Sequence, residues 1–158
     1  MYNRQKAVDY AYIWWNKRNP VFYNFDKIGG DCTNFVSQCL FFGGIEMDYS
    51  AQGWYYKSLY SRSPAWTGVD EFFDYATKNN ALRGVKAYNT KIIQMEIGDI
   101  VQFMQIGEDT YHHSLIITDI LGEPNIENIL VTCHTVDAKN KPLSDYQIKA
   151  VRFLKILN

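Results

Sequence analysis

KIGGDCTNFVSQCLFFGG, residues 27–44, is the stretch on which the reading of the chain turns. Two glycines and an aspartate lead straight into Cys32, and the residues after it become apolar at helical spacing: Phe35, Val36, Cys39 and Leu40 share one face. The spacing predicts a helix from Asp31 to Phe42, stopped by Gly43-Gly44. Asp31 is in place to cap its start. Cys32 then occupies the first helical position, where the partial positive charge of the helix start favours thiolate over thiol. Gly29 and Gly30 let the backbone approach closely there and leave the sulfur uncovered. Cys32 reads in two ways from this context alone, as a small buried hydrophobe or as a nucleophile.

Upstream, Ala7, Tyr10, Ala11, Trp14 and Trp15 draw one apolar stripe and predict a helix over residues 4–17, ended by Asn19-Pro20. Downstream, residues 48–66 read as irregular, and Val69–Lys78 as a third helix with Phe72, Phe73 and Ala76 inward. The grammar then changes. RGVKAY, GDIVQFM, HSLIITDI, ENILVTC and KAVRFLKI are short runs rich in β-branched residues, separated by turn formers. Helices first and antiparallel strands second predict an α+β fold, with helices packed on a curled sheet or small barrel. With 158 residues and no linker, repeat or low-complexity tract, the expectation is a single domain over residues 1–158.

The bulk properties narrow the function. Sixteen Lys and Arg against 17 Asp and Glu give a net charge of −1, without the basic surplus of an electrostatic nucleic-acid binder. Hydrophobic residues make up 47% and charged residues 21%, the balance of a soluble globular chain. The charged N-terminus has no continuous apolar core of signal-peptide type, and no later run is long enough to span a membrane. The expectation is a soluble chain without an export signal, extracellular or wall-associated if it is a domain cut from an exported protein and otherwise cytoplasmic. Three cysteines (32, 39 and 133) exclude full internal pairing, and the absence of CxxC argues against structural zinc.

The three histidines all lie in the strand half. His113 opens HSLIITDI and His134 follows ENILVTC; if those strands are antiparallel neighbours, the two meet at one sheet edge. His112 and His113 point to opposite faces. His113 is preferred because Leu115 and Ile117 share its side, expected to be the core side. A helix-start thiol, an imidazole on a facing strand and a third polar group make a Cys–His nucleophilic site. His134 is the candidate third group, with Asp137 as its alternative. His134 also reads as a strand-end surface residue, and Asp137 as a solvated turn residue. A metal site built from Cys133, His134, His112 and His113 is disfavoured, because adjacent side chains diverge.

With these residues placed, DCTNFVSQCL, SPAW, VDEFFDYA, GDIVQF, HHSLIIT and CHTVD resemble the family described as "Putative amidase domain", a relative of the NlpC/P60 cysteine peptidases with a papain-like core. The resemblance runs from about Asn19 to Asp145. It implies Cys32 as nucleophile, His113 as general base and His134 as the group that orients the base. It also maps an NP-x-x-Tyr segment onto Asn19, Pro20 and Tyr23. That gives Tyr23 a role beside the scissile carbonyl, and Trp54 and Trp66 match family aromatics, Trp66 being the substrate-side candidate. The activity implied is hydrolysis of an amide bond in peptidoglycan-like or muramoyl-peptide material, with no cofactor or metal. Two rivals stand beside it: a papain-like shell that binds peptide or glycan without cleaving it, and an acyltransferase using the same Cys–His pair.

Overall fold

The computed structural model describes residues 1–157. Helix α1 (Arg4–Trp14) begins where the Asn3 side chain accepts the Lys6 N–H, a cap that satisfies one free donor of the first turn. Helix α2 (Cys32–Phe42) is buried along most of its length and ends at Gly43-Gly44, with Gly44 at φ +101, a conformation that favours glycine. The stretch expected to be irregular contains a small hairpin, β1 (Tyr56–Ser58) and β2 (Ser61–Arg62), and one short turn of helix, α3 (Pro64–Thr67). Helix α4 (Val69–Lys78) follows, as its apolar spacing predicts.

Strands β3 (Ala87–Thr90), β4 (Ile100–Gln105), β5 (His113–Ile120), β6 (Ile129–Cys133), β7 (Ala138–Pro142) and β8 (Ile148–Ile156) form one antiparallel sheet in the order β3-β8-β4-β5-β6-β7. The result is mixed α+β, with few helices and antiparallel sheets. The sheet is open: among the described residues no pairing joins β3 to β7. β7, AKNKP, is an edge strand without a β-branched or aromatic residue, ending in the proline that such an edge tolerates. Its segment was expected to be turn.

Both faces of the sheet are buried. Ile100, Ile116, Leu154 and Ile156 pack with Phe35, Val36, Leu40, Trp54 and Trp66 from the helical layer. Val101, Phe103, Leu115, Ile117, Val131 and Cys133 form a second core on the opposite face, closed by Met95 and Leu143. The face that Leu115 and Ile117 share is buried as expected, and the opposite face is buried as well. His113 alternates with the second core, whereas Ser114 and Ile116 face α2.

Layers and termini are joined by polar contacts. The Arg4 guanidinium donates to Asp99 Oδ1 at 2.6 Å and to the Ile156 carbonyl at 2.7 Å, tying α1 to the ends of β4 and β8. No buried side-chain nitrogen or oxygen among the described residues lacks a hydrogen-bond partner. Among the same residues, no helix is long and apolar enough to cross a membrane.

Candidate active site

The start of α2 lies across the start of β5. Thr33 and Ser114 join them, their hydroxyl oxygens 2.9 Å apart, and the Cys32 thiol donates to the His112 carbonyl at 3.5 Å. A cleft of about 230 Å³ opens there, and Cys32, His113, Ser114, Cys133 and His134 all contribute to its lining. The thiol from the helix side and the imidazole from the second-core side therefore share one cavity, though they come from opposite faces.

Cys32 is buried, and burial pushes its thiol up; the Ser114 backbone N–H and the Thr33 side chain pull the other way, while the Asp31 charge pushes up. The expectation of a thiolate favoured by the helix start alone is corrected. Burial disfavours the thiolate there, and a neighbouring base is the ordinary way to offset that. Burial likewise raises the other two thiols, Cys133 to about 11 and Cys39 well above the ordinary value.

The His113 ring stacks on Phe103, its cross-strand partner, with centroids 4.6 Å apart. Its Nε2 lies 3.1 Å from Glu108 Oε1. Glu108 belongs to the β4–β5 turn and went unnoticed in the sequence. Its only signal there is an acid in the loop that precedes the strand histidine. His112 turns instead to the Thr110 hydroxyl, 2.7 Å from its Nε2.

His134 is buried and engaged elsewhere. Its Nδ1 is 2.6 Å from Asp31 Oδ2, its Nε2 is 2.7 Å from the Trp14 carbonyl, and its ring stacks on Phe35 at 3.8 Å. With both ring nitrogens so occupied, the expected orienting bond from His134 to His113 is corrected. What His134 holds is Asp31, the residue before the thiol. Asp31 in turn does not cap α2 with its side chain. Its Oδ1 accepts the Phe25 N–H at 2.8 Å and the Asn34 amide at 2.9 Å, and Arg18 stands 3.6 Å from Oδ2. Gly30, at φ +95, brings the chain against Thr135, where a Cβ would stand 3.3 Å from the hydroxyl. The Thr135 hydroxyl accepts the Asp31 N–H at 3.1 Å. The glycine before the motif is thus a close-approach residue.

The remaining candidates fall outside the cleft. Asp137 makes two bonds to Arg18, at 3.1 and 2.8 Å, which also binds Asp26. It is a clamp residue, not the partner of His113. Trp66 is 0% exposed and donates from Nε1 to Asn34 Oδ1 at 2.9 Å. It is a core residue that braces α2, which corrects its reading as a substrate contact. Tyr23, 39% exposed, lines a separate surface groove with Tyr56 and Leu59. Its main chain binds the Tyr56 hydroxyl and the Asn34 amide. The structure gives its phenol no place in the cleft lining. Among the described residues no three His, Cys, Asp or Glu side chains gather as a metal-holding group.

A buried thiol at a helix start and a strand histidine over one cleft are the parts from which a nucleophilic hydrolase can be built. Comparison with known sequences agrees at the level of the family: residues 1–156 match the family described as "Putative amidase domain", and the chain belongs to it. A Bacillus subtilis (strain 168) protein named "Uncharacterized protein YhbB" is 35% identical over 120 residues, which cover 73% of this chain and 37% of that relative. The chain therefore spans well under half the length of this relative. No solved structure matches.

Proposed function

We propose that the protein is a cysteine amidase, one papain-like domain related to the NlpC/P60 peptidases, acting on peptide amide bonds of cell-wall or muramoyl-peptide material. The observation that carries this reading is that Cys32 and His113 line the same cleft at the α2–β5 junction. His113 takes the Cys32 proton and the thiolate attacks the carbonyl carbon. The free N–H groups of the α2 start stabilise the oxyanion. His113 then gives its proton to the leaving amine, and water hydrolyses the thioester. Membership of the amidase family supports the reaction class, and the substrate class rests on the resemblance to the NlpC/P60 peptidases.

The test is incubation of the protein with purified cell wall and soluble muramoyl peptides, with products read by mass spectrometry. The expected result is a new amine and carboxylate terminus, absent with Cys32→Ala. Equal product from Cys32→Ala and the parent would overturn the nucleophile. Products in which the acyl group has moved to another amine would make the enzyme an acyltransferase.

A further inference from the structure

We infer that Glu108 is the positioning residue of this site, holding His113 by its Nε2 so that Nδ1 is the nitrogen left to act as base; the inference rests on the Cys32–His113 reading above. An ionised carboxylate can only accept, so the proton of the neutral imidazole sits on Nε2, 3.1 Å from Glu108 Oε1, and the lone pair sits on Nδ1. The geometry around the acid is built for this. Its other oxygen, Oε2, accepts the Gln105 backbone N–H at 2.7 Å. Its own N–H returns a bond to the Gln105 carbonyl at 3.0 Å. Lys149 of β8 donates to its carbonyl at 2.7 Å. At the far end of the same loop, Tyr111 lies under the Arg152 guanidinium, 4.0 Å from the ring centroid.

The first of these bonds, from Gln105, and the one from His113 also hold the Glu108 carboxyl below the usual glutamate range. The acid thus stays ionised wherever histidine titrates. The partner is fixed on a second side as well: the His113 ring lies flat against Phe103, so its nitrogens can turn only within one plane. The other titratable groups of the cleft are Cys32 from α2, Cys133 and His134 at the end of β6, Lys141 from β7, and Asp145 and Tyr146 after it. Cys133 meets Tyr146, Lys141 stacks on Tyr146, and His134 is held by Asp31. Among the described residues, Glu108 is the carboxylate bonded to the His113 ring.

Alkylation of Cys32 tests this without knowledge of the substrate. The full chain is treated with iodoacetamide from roughly pH 5 to pH 8, the range in which histidine titrates, and Cys32 modification is followed by peptide mass spectrometry. Glu108→Ala should slow alkylation near neutrality about tenfold, the weight of one hydrogen bond to a charged group. Glu108→Gln keeps an acceptor without the charge and should recover part of the loss. Asp109→Asn removes a neighbouring charge that contacts Lys149 and should follow the parent profile. Long-range proton–nitrogen spectra should show His113 as the Nε2–H tautomer in the parent and a mixture in Glu108→Ala.

If Glu108→Ala follows the parent profile and tautomer while His113→Ala is slow, the positioning role is overturned and the Cys–His pair stands. If His113→Ala also follows the parent, the pair itself falls and the role of Glu108 with it.

Discussion

Replacing His134 with alanine removes three contacts at once: the bond to Asp31, the bond to the Trp14 carbonyl and the stack on Phe35. The largest cost comes from Asp31, which is 1% exposed and loses its closest partner, keeping the Phe25 N–H, the Asn34 amide and Arg18 at 3.6 Å. Losing a hydrogen bond to a buried charged group costs about 1.5–3 kcal/mol, and the orphaned carbonyl adds about 1–3 kcal/mol. The partners that Asp31 keeps offset part of this, so a net loss of about 3–4 kcal/mol is expected. In a chain of this length each kcal/mol shifts the melting temperature by roughly 2–4 °C, giving a drop of about 6–16 °C. Circular dichroism melts and urea titrations would measure it. The decisive comparison is with Asp31→Asn and the double variant. Because the two side chains share one bond, which each single variant already removes, the double variant should be less destabilised than the sum of the singles, by about 0.5–3 kcal/mol. A His134→Ala protein melting within about 2 °C of the parent, or a strictly additive double variant, would refute the reasoning.

Two further outcomes follow from burial and charge. If the proposed Cys32–His113 pair operates, iodoacetamide near neutral pH should modify Cys32 before Cys39 or Cys133, although burial raises all three thiols; faster labelling of either would count against Cys32 as the nucleophile. At acid pH, Asp48 should reveal itself: burial pushes it up, but the Ser50 backbone N–H and the Tyr75 and Ser50 hydroxyls bring its carboxyl below the ordinary value. A depressed folded value means that its stabilisation is complete above the unfolded value near 4 and is lost as pH falls through the folded one. The melting-temperature gap between the parent and Asp48→Asn should therefore close as pH is lowered; a gap constant with pH would contradict this.

The periodic elements were legible from the sequence because one physical rule, burial of an apolar stripe, shapes both pattern and structure. The α2 and α4 helices and strands β5 and β8 lie within a residue of their expected positions. β7 was hidden because an edge strand of Ala, Lys, Asn and Pro carries no burial pattern. The face of His113, shared with Leu115 and Ile117, is a core side as alternation suggested, but alternation does not say that the other face is buried too. At the site, the meeting of Cys32 with the start of β5 followed from element order. The partners of His134 and His113 did not. Asp31 satisfies His134 across 103 positions, and Glu108 reaches His113 from a turn whose shape depends on Gln105 and Lys149. Hydrogen bonds chosen by tertiary geometry leave no period to read.

The Arg18 clamp and the Asp31–His134 pair also set the order in which the molecule can be made. Arg18 grips Asp137 across 119 positions and Asp31 waits 103 for its histidine, while the Thr33–Ser114 bond spans 81. Contacts this distant form only after long loops have closed. During synthesis, Cys32 therefore leaves the ribosome long before the strands that hold its base and its charge network exist. The catalytic geometry proposed here is thus a late product of folding, assembled only when the last strands are in place.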